Sequence, residues 1–250
     1  MTRGVALVTG GAKRIGRSIV LELARAGFDV AVHHRSSLDE ACSAVEAVRA
    51  LGRHAEAFAA ELTSDSELPA LLPRAAEALG PVTLLVNCAS LFQDDRIETL
   101  TADGWDAHMA ANLRAPVLLA QAFAAALPVE REGLIVNILD QRVRRLNPQF
   151  FSYTLSKAAL WTATQTLAQA LAPRIRVNGV GPGPTLPSIH QRNGEFDTEA
   201  ANVLLQRRAT PEEVAAAVRF LADSPSITGQ MIAVDGGQHL AWRTPDIVTD

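Results

Sequence analysis

The chain has 250 residues, 48% of them hydrophobic and 20% charged, with a formal net charge of −4. The apolar share supports a sizeable core, and the length suits one α/β domain spanning 1–250. The mildly acidic balance implies no polyanion partner, so no nucleic-acid partner is expected.

In chain order, Val5-Ala-Leu-Val8 reads as a short buried strand that starts directly after Met-Thr-Arg-Gly, so no signal peptide is expected. Thr9-Gly-Gly-Ala-Lys-Arg-Ile-Gly16 follows. Arg17 to Ala26 has helical periodicity, with Gly27 at the C-cap position. Strand, glycine turn and helix together aim free backbone N–H groups at a phosphate. Arg14 stands where the usual spacing has a glycine. Further strands are expected at Val30–His34, Ala55–Ala60, Thr83–Cys88, Leu134–Leu139, Ile175–Val180 and Met231–Val234, with helices between them. The apolar stretch Ala115 to Val129 is interrupted by Pro116, Gln121 and Pro128 and is short for a membrane span, so a buried helix is expected and no membrane partner. Gly181 to Thr210 reads as irregular. Thr210-Pro-Glu-Glu213 then opens a helix with a capping box.

Strand–helix alternation of this kind predicts a doubly wound, Rossmann-like parallel sheet of about seven strands with helices on both faces. Ligands then sit beyond the carboxyl ends of the strands, where Gly10, Asn87, Asp140 and Pro182 all fall. Cys42 and Cys88 have neither metal-ligand nor redox spacing, so a reducing, cytoplasmic location and no metal are expected.

Charge argues for the cofactor. A site for NAD places an acid at the end of the second strand, to accept from the ribose 2′-hydroxyl. Here that strand ends in His33-His34-Arg35-Ser36, Asp29 precedes it, and Asp39 lies in the next helix. Guanidinium and hydroxyl groups bind a 2′-phosphate that an acid would repel. With Arg14 as a second cation, NADP(H) is expected; the competing reading of Arg35 is a solvated surface charge.

The single tyrosine, Tyr153, lies four residues before Lys157, about one helical turn. An ammonium beside a phenol stabilises the phenolate, so a lowered tyrosine pKa suited to acid–base work is expected.

Thr9-Gly10, Asn87 with Ala89, Asn112, Tyr153, Lys157, Asn178, Pro182-Gly183 and Asp235-Gly-Gly237 occur in the order of the short-chain dehydrogenase/reductase family, which the chain resembles over nearly its whole length. Thr9-Gly-Gly-Ala-Lys-Arg-Ile-Gly16, His33-His-Arg-Ser36, Ala89-Ser-Leu-Phe92 and Asp140 resemble its pteridine reductase branch. The resemblance implies cofactor contacts from Gly10, Lys13, Arg14, Ile15 and Gly16 in the turn and from His34, Arg35 and Ser36 after the second strand. It also implies them from Glu61 and Leu62, from Asn87, Ala89 and Ser90, from Tyr153 and Lys157, and from Pro182 and Gly183. Glu61 replaces an aspartate usual beside adenine, Cys88 an asparagine, and Pro187 a threonine. The resemblance further implies that Tyr153 delivers a proton, Lys157 holds the nicotinamide ribose, and Asn112 supports a water leading to the lysine. A homo-oligomer, dimer or tetramer, is implied in the same way.

Asp140 stands where most relatives carry serine. An ionised carboxylate can only accept hydrogen bonds, so it suits a substrate with N–H groups or with a ring nitrogen to protonate. By resemblance Phe92 stacks a flat pteridine and Ser90 bonds ligand or phosphate, so Ser90, Phe92, Asp140 and Tyr153 form the expected substrate side. Arg142, Arg144 and Arg145 are either solvated surface or contacts for an anionic substrate tail. The leading expectation is an NADPH-dependent reductase of a dihydropterin or dihydrofolate-like substrate, closed by the 184–210 loop region. The alternatives are a reductase of ketones or 3-oxoacyl thioesters, and a non-catalytic NADPH-binding sensor or scaffold. The tail His239-Leu-Ala-Trp-Arg-Thr-Pro-Asp246 either reaches a neighbouring subunit or packs on its own chain.

Overall fold

Because most of the strands are short, largely apolar runs, they are expected to be covered on both sides. The computed structural model, which describes residues 3–187 and 195–242, has that arrangement. Strands β1 (Val5–Val8), β2 (Asp29–His34), β3 (Ala55–Ala59), β4 (Val82–Asn87), β5 (Gly133–Ile138), β6 (Ile175–Pro182) and β7 (Met231–Val234) form one parallel sheet in the order β3-β2-β1-β4-β5-β6-β7. The strand order reverses between β1 and β4, and the crevice of a doubly wound sheet opens there.

Alternate residues of β1 feed two separate cores. Ala6 and Val8 join Ile19 and Leu23 of α1 (Arg14–Arg25), Val45 of α2 (Leu38–Ala50) and Val218 of α8 (Pro211–Ala222). Val5 and Leu7 join Leu71 of α3 (Glu67–Leu79), Leu119 and Phe123 of α5 (Ala115–Ala126) and Ala168 of α6 (Phe151–Leu171). Each fully buried leucine or phenylalanine contributes roughly 1.5–3 kcal/mol of transfer free energy.

Strand ends differ from expectation by one or two residues. Asp29 lies inside β2 rather than before it. Its carboxylate accepts from Arg53 Nη2 at 2.7 Å and from the His54 N–H at 2.9 Å, which compensates its burial. Two departures are larger. Helix α1 begins at Arg14, not Arg17. The stretch expected to be irregular holds the end of β6 and a short helix, α7 (Glu195–Ala201); 188–194 of the substrate loop region lie outside the described residues. The capping box of α8 is present: the Glu213 N–H donates to Thr210 Oγ1 at 3.2 Å and the Thr210 N–H to Glu213 Oε2 at 2.8 Å.

Helix α4 (Ala102–Met109) runs through a π turn, Ala110–Arg114, into α5. The run Ala102–Ala126 is long and apolar enough to cross a membrane by composition alone. Its α5 part buries Leu119, Ala120 and Phe123 against the sheet, as a core helix does. The last part of the C-terminal tail, 243–246, lies outside the described residues.

Candidate functional site

The carboxyl edge of β1 is tied to that of β4 by one side chain. Thr9 Oγ1 accepts from the N–H groups of Cys88 at 2.9 Å and Ala89 at 3.1 Å, which holds the glycine turn beside 88–89. Gly10 has φ +63°, and an added Cβ would lie 3.0 Å from Ala89 Cα. At Gly16 an added Cβ would lie 2.1 Å from Gly10 O, so the first turn of α1 packs directly on the loop. Arg14 has φ +51°. This left-handed backbone carries a steric cost that a glycine would avoid.

His33, for which the sequence predicts no role, also shapes this turn. Its Nδ1 accepts from the Gly10 N–H at 3.0 Å, so Nε2 carries the hydrogen and donates to Ala60 O at 3.0 Å. Burial pushes its pKa down to about 4, which keeps the imidazole neutral. A histidine at the buried end of a strand carries no sequence signal for this role, because its partner Ala60 follows the next strand.

The cations expected around the cofactor are engaged within the protein. Lys13 Nζ lies 2.6 Å from Glu40 Oε1. Arg14 Nη2 donates to Pro187 O at 3.0 Å. Arg35 is exposed and faces Glu61 at 3.8 Å, so an acid does stand beside it. Glu61 also accepts from the Thr63 N–H and hydroxyl, while Leu62 is buried and Ser36 exposed. His34 is buried at the end of β2, and burial holds its pKa below the ordinary value.

Asn87 ends β4. Its Nδ2 donates to Asn137 Oδ1 at 2.9 Å, and its buried Oδ1 has no hydrogen-bond partner among the described residues. At the end of β6 the Gly183 N–H donates to Val234 O at 3.0 Å, while Pro182 is buried beside it. An unpartnered acceptor above the switch point, next to a turn that leaves no room for a Cβ, fits a dinucleotide.

The acid–base residues meet at the end of β5. Tyr153 Oη donates to Asp140 Oδ2 at 2.9 Å, and the Arg142 N–H donates to Asp140 Oδ1 at 2.8 Å. Lys157 Nζ donates to Ile138 O at 2.8 Å and lies 5.8 Å from the centre of the Tyr153 ring. Burial raises the Asp140 carboxyl above its ordinary range, against the N–H and guanidinium of Arg142. The expected lowering of the tyrosine pKa is corrected. Burial, and then the Asp140 charge, raise the phenol well above its ordinary value. Burial also lowers Lys157 to about 8. The phenol therefore keeps its proton across the neutral range.

Asn112 sits in the π turn and clamps the loop after β4. Its Oδ1 accepts from the Leu91 N–H at 2.8 Å and from Ser90 Oγ at 3.1 Å. Its Nδ2 lies 2.9 Å from Leu91 O and 3.0 Å from Ser156 Oγ. Phe92 stacks on Phe150 with centroids 4.3 Å apart and planes 9° apart, and it meets Tyr153 edge-on at 4.6 Å. The guanidinium of Arg142 covers Phe150 at 5.1 Å. The three arginines after Asp140 act as braces. Arg142 donates to Gln149 O at 3.3 Å, Arg144 to Met231 O at 3.0 Å and Arg145 to Gln238 O at 3.2 Å.

A family model described as enoyl-(acyl carrier protein) reductase matches residues 10–239. Among curated proteins, the 3-oxoacyl-[acyl-carrier-protein] reductase FabG of Staphylococcus epidermidis is 32% identical over 240 residues, covering 94% of this chain and 98% of that protein. The FabG of Aggregatibacter actinomycetemcomitans is 35% identical over 240 residues, covering 92% and 97%. Among solved structures, FolM alternative dihydrofolate reductase 1 from Brucella suis in complex with NADP is 52% identical. Its TM-score is 0.95, with 98% of this chain and 99% of that chain covered. A blue fluorescent protein from a metagenomic library in complex with NADPH is 34% identical with a TM-score of 0.88, covering 95% and 98%.

Proposed function

The chain belongs to the short-chain dehydrogenase/reductase family of oxidoreductases, and from that premise we propose that it is an NADPH-dependent reductase of a dihydropterin or dihydrofolate-like substrate. The observation that carries this reading is the hydrogen bond from Tyr153 Oη to the carboxylate of Asp140. The similarity to FolM alternative dihydrofolate reductase at 52% identity supports it, against 32–35% for the two 3-oxoacyl reductases. The NADP and NADPH bound in the similar structures support the cofactor.

The turn from Gly10 to Gly16 would hold the pyrophosphate, Arg14, Arg35 and Ser36 the 2′-phosphate, and Asn87 and Lys157 the nicotinamide ribose. NADPH bound there supplies the hydride. Reduction of a C=N bond adds that hydride to carbon and a proton to nitrogen. Tyr153 holds this proton in its bond to the Asp140 carboxylate, and burial together with the Asp140 charge keeps the phenol protonated. A ring nitrogen at Tyr153 Oη takes the proton, and Asp140, which is partly exposed, refills the phenol from solvent. A carboxylate at this position suits N–H donors and repels the oxyanion that develops when a ketone is reduced. Phe92, backed by Phe150, offers a flat wall, and offset stacking adds roughly 0.5–1.5 kcal/mol beyond burial for a planar ligand.

The 3-oxoacyl reductases among the relatives favour a second reading, reduction of a ketone or 3-oxoacyl thioester. One assay separates the two. NADPH oxidation, with NADH as control, is followed with dihydrobiopterin, dihydromonapterin, dihydrofolate, small ketones and a 3-oxoacyl thioester. Turnover confined to the pterins and folate, with NADPH preferred, is expected. Turnover of ketones or thioesters alone overturns the pterin reading.

A further inference from the structure

His108 lies at the end of α4, is 1% exposed, and has no part in the chemistry above. Its bonding directions can be deduced. The Gln93 N–H, 3.2 Å from His108 Nε2, can only donate, so Nε2 is the acceptor and Nδ1 carries the hydrogen. Nδ1 lies 2.7 Å from Ser152 Oγ and 3.0 Å from Gly104 O. Ser152 Oγ donates its one hydrogen to the carboxylate of Asp95, so it accepts from His108. A one-directional chain results: the Gln93 N–H to His108, His108 to Ser152, and Ser152 to Asp95. Burial lowers the pKa of the imidazole, although Gly104 O and Asp95 act in the opposite sense. The neutral form that the bonding requires is thus favoured.

This chain joins two segments of the substrate side. Gln93 follows Phe92, and Asn112 holds Leu91 on its other flank. Asp95 also accepts from the Ser152 N–H at 3.1 Å, and its backbone oxygen accepts from the Phe151 N–H at 3.2 Å. Ser152 and Phe151 open the helix that carries Tyr153. The loop is therefore fastened at 91, 93 and 95, and the last two fastenings run to the residues just before Tyr153.

We propose that His108 is a positioning residue that sets the Phe92 ring at its angle and distance from Tyr153, and so selects planar substrates. The selection rests on the pterin reading; the fastening of the loop does not. Two variants and two readouts test it. His108→Phe removes both imidazole bonds, and His108→Gln keeps one acceptor and one donor. The expected result for His108→Phe is a KM for dihydropterin raised about tenfold, the effect of leaving one buried amide unpaired. Its kcat and NADPH affinity stay within about threefold of wild type, and amide hydrogen exchange across 91–95 is faster. His108→Gln restores KM and exchange most of the way. If His108→Phe does not fold, Ser152→Ala, which removes the central hydroxyl alone, is read by the same measurements with the same expected direction. Unchanged exchange at 91–95 overturns the fastening. Altered exchange with KM unchanged, or with a raised KM accompanied by equal losses in kcat and NADPH affinity, overturns the role in substrate selection. If the wild-type protein turns over no pterin, the proposed function fails, and exchange alone still decides whether His108 holds the loop.

Discussion

At the scale of single residues, the site turns on the partners of Tyr153. A phenol beside an ammonium alone would ionise more easily. Here the phenol bonds to a carboxylate and is buried, so it holds its proton, and Lys157 bears the opposite cost of burial. Tyr153→Phe keeps the ring that meets Phe92 and removes the donor. We expect turnover to fall by about 10³-fold or more, within the range for a positioned acid–base group, with the NADPH dissociation constant within about threefold of wild type. Turnover retained in this variant rejects Tyr153 as the proton donor. The sign of the pH dependence follows from Lys157, whose pKa is lowered to about 8. Its ammonium is present below that value and lost above it. The kcat/KM for NADPH should therefore decline as pH rises through about 8, because that parameter reports groups of the free enzyme. A flat profile from pH 7 to 9 removes Lys157 from cofactor binding.

At the scale of elements, the glycine turn and the start of α1 depend on a close approach that no side chain can share. Gly16→Ala would place a Cβ 2.1 Å from Gly10 O, so backbone must move. Weakening of NADPH binding by about tenfold or more is expected in a titration of NADPH fluorescence, because the N–H groups of the turn lose their aim. Unchanged affinity means the turn does not hold the pyrophosphate. What the sequence revealed about these elements has physical limits. The inner strands were legible because both faces are buried, and α8 because its cap is local to Thr210 and Glu213. The positive φ of Arg14 was not, since arginine rarely adopts it. His33 and His108 were not, because their partners lie on other elements. Helix α7 was missed in a stretch that begins with glycines and prolines.

At the scale of the whole molecule, the reversal of strand order between β1 and β4 gathers the glycine turn, Asn87, Asp140 and Gly183 along one edge. That convergence was legible from strand–helix alternation alone. The direction of the tyrosine pKa was not, because it depends on burial and on a carboxylate that folding brings to the phenol. Nor was the role of the three arginines: their acceptors at Gln149, Met231 and Gln238 belong to the folded chain. The role proposed for Asp140 is to direct a family fold toward a nitrogen heterocycle. It is tested most directly by Asp140→Ser, comparing kcat/KM for a dihydropterin with kcat/KM for a small ketone in wild type and variant. Pterin turnover is expected to fall by about 10²-fold, the lower end for an acid–base group, while ketone turnover holds or rises. A variant that reduces the pterin as well as wild type contradicts it.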